Sequence, residues 1–180
     1  MGIQYEFLLE DERIFSDCSD KPPGTFNSHS LFDLSNMNFA MDDDGVAISG
    51  NHTLIWDVQP SDRIEMAGSL RYFDRSTWQP TTLNILSKDL CKVLYDHRQI
   101  WYDLYSKHIA NRPDIAENCI RVKGTTFIME SYKLDPHIGL GVPLKPGRYS
   151  VRLEISAYDK SNIKGPISIC AEVKGEFFRV

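Results

Sequence analysis

Along most of the chain, apolar side chains recur at every second position, the spacing of a strand with one buried face. Val46, Ile48, Gly50, His52, Leu54, Trp56 and Val58 fall on one side. Ala47, Ser49, Asn51, Thr53 and Asp57 fall on the other, with Ile55 the exception. Met37, Phe39 and Met41 alternate in a preceding strand, joined to it by Asp42-Asp43-Asp44-Gly45. Asp-Gly is a hairpin signal because both residues tolerate positive φ. A third strand is expected over Arg63–Asp74, with Ile64, Met66, Leu70 and Tyr72 on one face and a gap at Gly68. Thr125–Leu134, Tyr149–Tyr158 and Ile167–Val180 read as further strands, and Tyr5, Phe7 and Leu9 mark one near the start. In Tyr149–Tyr158, which follows the Pro146-Gly147 turn, Val151, Leu153, Ile155 and Ala157 face in while Arg152, Glu154 and Ser156 face out.

One segment follows a different period. From Lys88 to Ile109, Leu90, Val93, Leu94, His97, Trp101, Leu104, Tyr105 and His108 recur at three- and four-residue spacing. This predicts an amphipathic helix of about six turns, with Ser87 as N-cap and Asn111-Arg112-Pro113 as its end. The expected fold is mainly β: a two-sheet antiparallel, immunoglobulin-like β-sandwich of about seven strands with one inserted helix over about 88–109. The chain reads as a single domain, 1–180, with the insertion running to about 118.

Composition narrows the function classes. At 42% apolar and 25% charged, the 180 residues are those of a globular chain. Acidic residues outnumber basic ones 25 to 20, for a net charge of −5, which disfavours a nucleic-acid partner. No apolar run approaches the roughly 18 residues of a membrane span. The opening Met1-Gly2-Ile3-Gln4-Tyr5-Glu6 lacks the basic start and apolar stretch of a signal peptide, and Glu6 breaks a myristoylation motif. Cys18, Cys91, Cys119 and Cys170 form no CxxC pair, so they are two disulfides or four buried thiols and not a metal site. Asn51-His52-Thr53 is a glycosylation sequon whose Asn51 points away from the apolar face. The even cysteine count and the sequon favour an extracellular protein, in which case this chain is a processed one.

Catalytic chemistry is not apparent. The five histidines form no HxH or HExxH arrangement, and neighbouring helix residues such as Asp96 and His97 point in different directions. No GxSxG elbow is present. Gly139-Leu140-Gly141 runs into Val142-Pro143, and a proline cannot donate the backbone hydrogen bond of a phosphate cradle. Asp42-Asp43-Asp44 lacks the spaced oxygens and closing Glu of an EF-hand. No cofactor or metal is expected. What the chain has in surplus is apolar surface with adaptable methionines, which either fills a core or lines a ligand slot. The candidate lining residues are Phe39, Met66, Leu70, Trp101, Leu104, Tyr105, Phe127, Met129, Leu153 and Ile155.

Several motifs together resemble a known family. Tyr5-Glu6-Phe7 leading to Cys18, Trp56-Asp57-Val58, Asp89-Leu90-Cys91-Lys92, Asn118-Cys119, Leu144-Lys145-Pro146-Gly147-Arg148-Tyr149 and Ile169-Cys170 span nearly the whole chain. In this set the chain is similar to insect secreted proteins of the MD-2-related lipid-recognition class, especially the chemosensory CheB group, relatives of the ganglioside-activator protein. The resemblance implies sheets splayed apart around a lipid or long-chain hydrocarbon, no catalysis, and disulfides Cys18–Cys170 and Cys91–Cys119. It also implies a role in gustatory, contact-pheromone perception, with a membrane receptor or sodium channel as partner. The insertion between Cys91 and Cys119 departs from the family and is long enough to act as a lid that gates the slot or as a partner surface. Two other readings stand beside it: a filled-core interaction sandwich with an adhesive surface at the helix and Trp78, and a lipid-presenting activator of a separate hydrolase.

Overall fold

In the computed structural model, which describes residues 2–180, the alternating segments become strands and the inserted helix does not form as one piece. In chain order the strands are β1 (Ile3–Leu9), β2 (Ser16–Asp17), β3 (Thr25–Phe26), β4 (Phe32–Asp33), β5 (Met37–Asp42), β6 (Gly45–Leu54), β7 (Arg63–Asp74) and β8 (Thr77–Ser87). Three short α-helices follow, α1 (Leu90–Val93), α2 (Ile100–Leu104) and α3 (Arg112–Ile115), with 3₁₀ turns at Ser106–His108 and Ala116–Asn118. The chain then runs through β9 (Thr126–Leu134), β10 (His137–Leu140), β11 (Arg148–Tyr158) and β12 (Ser168–Arg179).

Two sheets result. The larger has the order β10-β1-β12-β11-β7-β8, with β2 and β3 also pairing β12; the smaller is built around β6, which pairs β4, β5 and β9. Apart from the short parallel pair β3–β12, neighbouring strands run antiparallel. The mainly β sandwich is therefore as the alternation predicts. The β5–β6 hairpin closes at Asp43-Asp44, where Asp42 Oδ1 accepts the Asp44 amide at 2.8 Å and Gly45 takes φ 129°. A bulge in β9 opposite Ser49 shifts the inward set from Phe127 and Met129 to Tyr132 and Leu134.

Strand β8 has no counterpart among the expected strands. Its hairpin to β7 turns through Arg75 and Ser76, both at positive φ (51° and 66°), without the Gly or Asn that advertises such a turn. Strand β6 stops at Leu54, short of the expected Val58. Trp56 instead enters the core from the following loop, its indole N–H donating to the Ile167 carbonyl at 3.2 Å, and so ties the small sheet to the start of β12.

The single helix over 88–109 is corrected to separate turns, and local hydrogen bonds give the reason. Asp96 Oδ1 accepts the Arg98 amide at 2.9 Å, an alternative to helix continuation. The Leu94 carbonyl, left free at the end of α1, receives Trp101 Nε1 at 3.1 Å and Ser106 Oγ at 2.5 Å. Apolar periodicity survives in part, since Leu90 and Leu94 are buried.

Arg152 is a second correction. Expected to face solvent, it is 5% exposed, because the chain between β2 and β3 folds over the outer face of the large sheet. Cys18–Cys170 fastens that loop, and Cys91–Cys119 fastens α1 to the end of the insertion, the pairing the resemblance implies.

Candidate functional site

Burial is inverted over part of β11, whereas on neighbouring β7 the inward Ile64, Met66, Gly68 and Leu70 are the buried set. On β11 the outward Ser150 and Arg152 are 0% and 5% exposed, whereas the inward aliphatics Val151, Leu153 and Ile155 are only partly buried. The register aligns Leu153 with Gly68 on β7 and Gly68 with Ile85 on β8, and Ile85 is 45% exposed. A Cβ added at Gly68 would lie 2.8 Å from Ile85 Cγ1 and 3.5 Å from Leu153 Cδ2, so the missing side chain is what lets these two lean together. The result is a strip of aliphatic surface on the inner wall, centred on Gly68, that the opposing sheet leaves partly uncovered. An apolar surface of this kind gains free energy from any apolar group that covers it.

The two ends of the sandwich are closed differently. At one end three tyrosines converge on the Leu144–Pro146 loop: Tyr5 Oη accepts the Leu144 amide at 2.8 Å, while Tyr149 and Tyr72 donate to the Lys145 and Pro146 carbonyls at 2.7 and 3.1 Å. At the other, the insertion spans from β7, which α1 contacts, to β9. Ile109 bridges Met129, the Ala110 amide donates to the Ile128 carbonyl at 2.7 Å, and the Asn111 side chain bonds β9 twice. Tyr132 Oη donates to the Leu104 carbonyl at 3.0 Å, and the His108 ring stacks on Tyr132 with centroids 3.6 Å apart.

His52 is the polar residue of the small sheet's inner face. It is 4% exposed, stacked on Phe127 at 5.1 Å, edge-on to Phe32 at 4.6 Å, and its Nε2 lies 2.7 Å from Tyr105 Oη. Burial lowers its pKa from 6.5 to about 4, so the ring is neutral at physiological pH. Burial likewise pushes the Tyr105 hydroxyl well above its ordinary value and Tyr132 up to about 12.

The sequence-predicted lining residues do not form one surface. Phe127 and Met129 are buried in a core with Met66, against which Trp101, Tyr105, Leu153 and Ile155 pack; Leu70 belongs to a second cluster with Phe7 and Tyr149. Phe39 and Leu104 lie against a third, with Val46, Ile48 and Leu134. Val151, Leu83 and Ile85 complete the partly covered strip and were not among the predicted set; the signal for Ile85 was lost with β8. Asn51 is exposed on the outer side of β6. Trp78 packs at a tilt against Phe73, centroids 5.0 Å apart, and carries the Arg148 guanidinium over its ring.

The Asp96 carboxylate is taken by the Arg98 guanidinium (2.9 and 3.1 Å), which lowers its pKa to about 2, and His97 is exposed. No group of three or more His, Cys, Asp or Glu that could hold a metal occurs among the described residues. No described helix is long and apolar enough to cross a membrane. No protein-family profile matches the chain, and no curated protein matches it.

Proposed function

We propose that the protein is a secreted, non-enzymatic carrier that holds a lipid or long-chain hydrocarbon between its two sheets. The observation that carries this reading is a local inversion of burial within β11: between buried Tyr149 and Ala157, the inward Val151, Leu153 and Ile155 stay partly uncovered, while polar Ser150 and Arg152 on the outer side are buried. Covering such a strip is worth about 25 cal/mol per Å², or roughly 0.8 kcal/mol for each ligand CH₂. Two disulfides suit an oxidising compartment, and Asn51 stands where a glycan can be attached. From the family resemblance we place the carrier in contact-pheromone perception, delivering its ligand to a membrane receptor or sodium channel. Lifting lipid for a separate hydrolase would use the same strip.

A filled interaction sandwich is the competing reading, and exposed Ile85 and Leu86 on the edge strand β8 favour it. Uptake of the apolar fluorophore N-phenyl-1-naphthylamine decides between them. Saturable one-to-one enhancement, displaced by long-chain alkanes or alcohols, supports the carrier; no enhancement in folded protein refutes it.

A further inference from the structure

We propose that His108 is a proton-operated latch: as imidazolium it fastens the α2 limb of the insertion to β9, and on losing a proton it lets that limb lift. The proposal stands whatever the sandwich carries. Its basis is the position of both ring nitrogens. Nδ1 lies 2.6 Å from Glu130 Oε1 on β9, and Nε2 lies 3.0 Å from the Asp103 carbonyl oxygen in α2. A carboxylate and a carbonyl accept hydrogen bonds and donate none, whereas a neutral imidazole has one N–H and one bare lone pair. Both bonds therefore form together only when the ring carries two protons. The neutral ring keeps one bond and turns its lone pair toward the other oxygen.

The ring sits where it controls the insertion and not the sheet. It ends the 3₁₀ turn Ser106–His108 and lies flat on Tyr132, the two planes 5° apart. Just beyond it, Ile109, Ala110 and Asn111 hold β9 through bonds that involve no titrating group. Those bonds make a hinge, and the two His108 bonds tie down the limb that precedes it. The other charged or titratable groups around the ring are Asp103 and Lys107 of the insertion, paired at 3.1 Å, and Glu130 and Tyr132 of β9. The Tyr132 hydroxyl, raised to about 12 by burial, keeps its proton throughout. Histidine is the side chain that ordinarily changes charge between about pH 5 and 8, so the ring sets the response. The closed limb favours the charged ring, so closure is strongest at acidic pH and weakens as pH rises. His52 acts in the opposite sense below about pH 6.5, because lifting Tyr105 frees its ring to take a proton.

Amide hydrogen exchange of the whole chain at about pH 6.5 and pH 8.5, each rate divided by the intrinsic rate at that pH, provides the test. Protection over residues 101–109 is expected to fall at least about 3-fold at the higher pH, while β7, β11 and β12 hold theirs. His108→Phe keeps a ring on Tyr132 without the two bonds, and is expected to show low protection at both pH values. Glu130→Gln, at an exposed position, is expected to keep its protection as pH rises. Its amide N–H donates to Nδ1 of the neutral ring while Nε2–H still donates to the Asp103 carbonyl. The His52 contribution is common to parent and variants, so the comparison removes it. Equal parent protection at the two pH values overturns the latch. So does a Glu130→Gln variant that loses protection as the parent does, a result that stands even where His108→Phe fails to fold.

Discussion

Arg152 and Glu172 face each other across β11 and β12 on the outer side of the large sheet, 5% and 1% exposed, with Nη1 3.7 Å from Oε1. Both are held by the loop that crosses them: Arg152 Nη1 donates to the Ser19 carbonyl at 2.9 Å, and the Ser19 amide donates to Glu172 Oε1 at 3.3 Å. Cys18, the next residue in that loop, is bonded to Cys170. The pair costs desolvation to bury, so its worth lies in how badly each partner fares alone. Arg152→Ala is expected to lower unfolding free energy by about 3–5 kcal/mol, and Arg152→Met with Glu172→Leu to recover most of the loss. Denaturant melts of the three variants check this; equal losses in single and double variants would contradict it.

His52 makes stability depend on pH. Its folded pKa, about 4, lies below the unfolded 6.5, so between those values the unfolded chain binds the extra proton. Stability is therefore full above about pH 6.5 and falls as pH drops toward 4, by about 3 kcal/mol for this residue. His52→Phe should flatten the curve of urea-unfolding free energy against pH in that window. An unchanged slope would show that other groups carry the dependence.

The Cys91–Cys119 bridge closes a separation of 28 residues around the insertion. Replacing both with serine is expected to cost about 3–4 kcal/mol on the chain-entropy account. Amide exchange should speed up over residues 90–118 and stay slow in β7, β11 and β12; uniform acceleration would contradict a local role.

Gly68 sits where Ile85 and Leu153 lean together. Its backbone is in the ordinary strand region, so a side chain is tolerated if Ile85, 45% exposed, swings outward. Gly68→Leu fills the strip from within and is expected to reduce uptake of an apolar fluorophore at least about 10-fold with little loss of fold. Uptake equal to the parent protein's would place the ligand elsewhere.

Period-two alternation located the sandwich well where each strand has one dry face: β7 runs over the Arg63–Asp74 span that the alternation marks. It fails for Arg152 because a loop from the distant N-terminal region, invisible to local spacing, covers the outer face. It fails for β8 because Thr77–Ser87 is an edge strand with a two-residue slip at Pro80 and no steady alternation. The helical period of 88–109 is real, but Asp96 and Trp101 supply bonds that stop the helix twice. Lining residues were only partly legible because a buried Phe127 and a half-covered Leu153 look alike in sequence; what separates them is how completely distant parts of the chain cover each, which local spacing does not show.

Native mass spectrometry of protein secreted from insect cells, set against the denatured sample, tests the carrier most directly. The account predicts a native mass that exceeds the denatured one by a discrete adduct, released into organic solvent and absent from Gly68→Leu. Equal native and denatured masses, together with no uptake when folded protein is offered long-chain alkanes and alcohols, would contradict it and leave a filled sandwich that works through its surface.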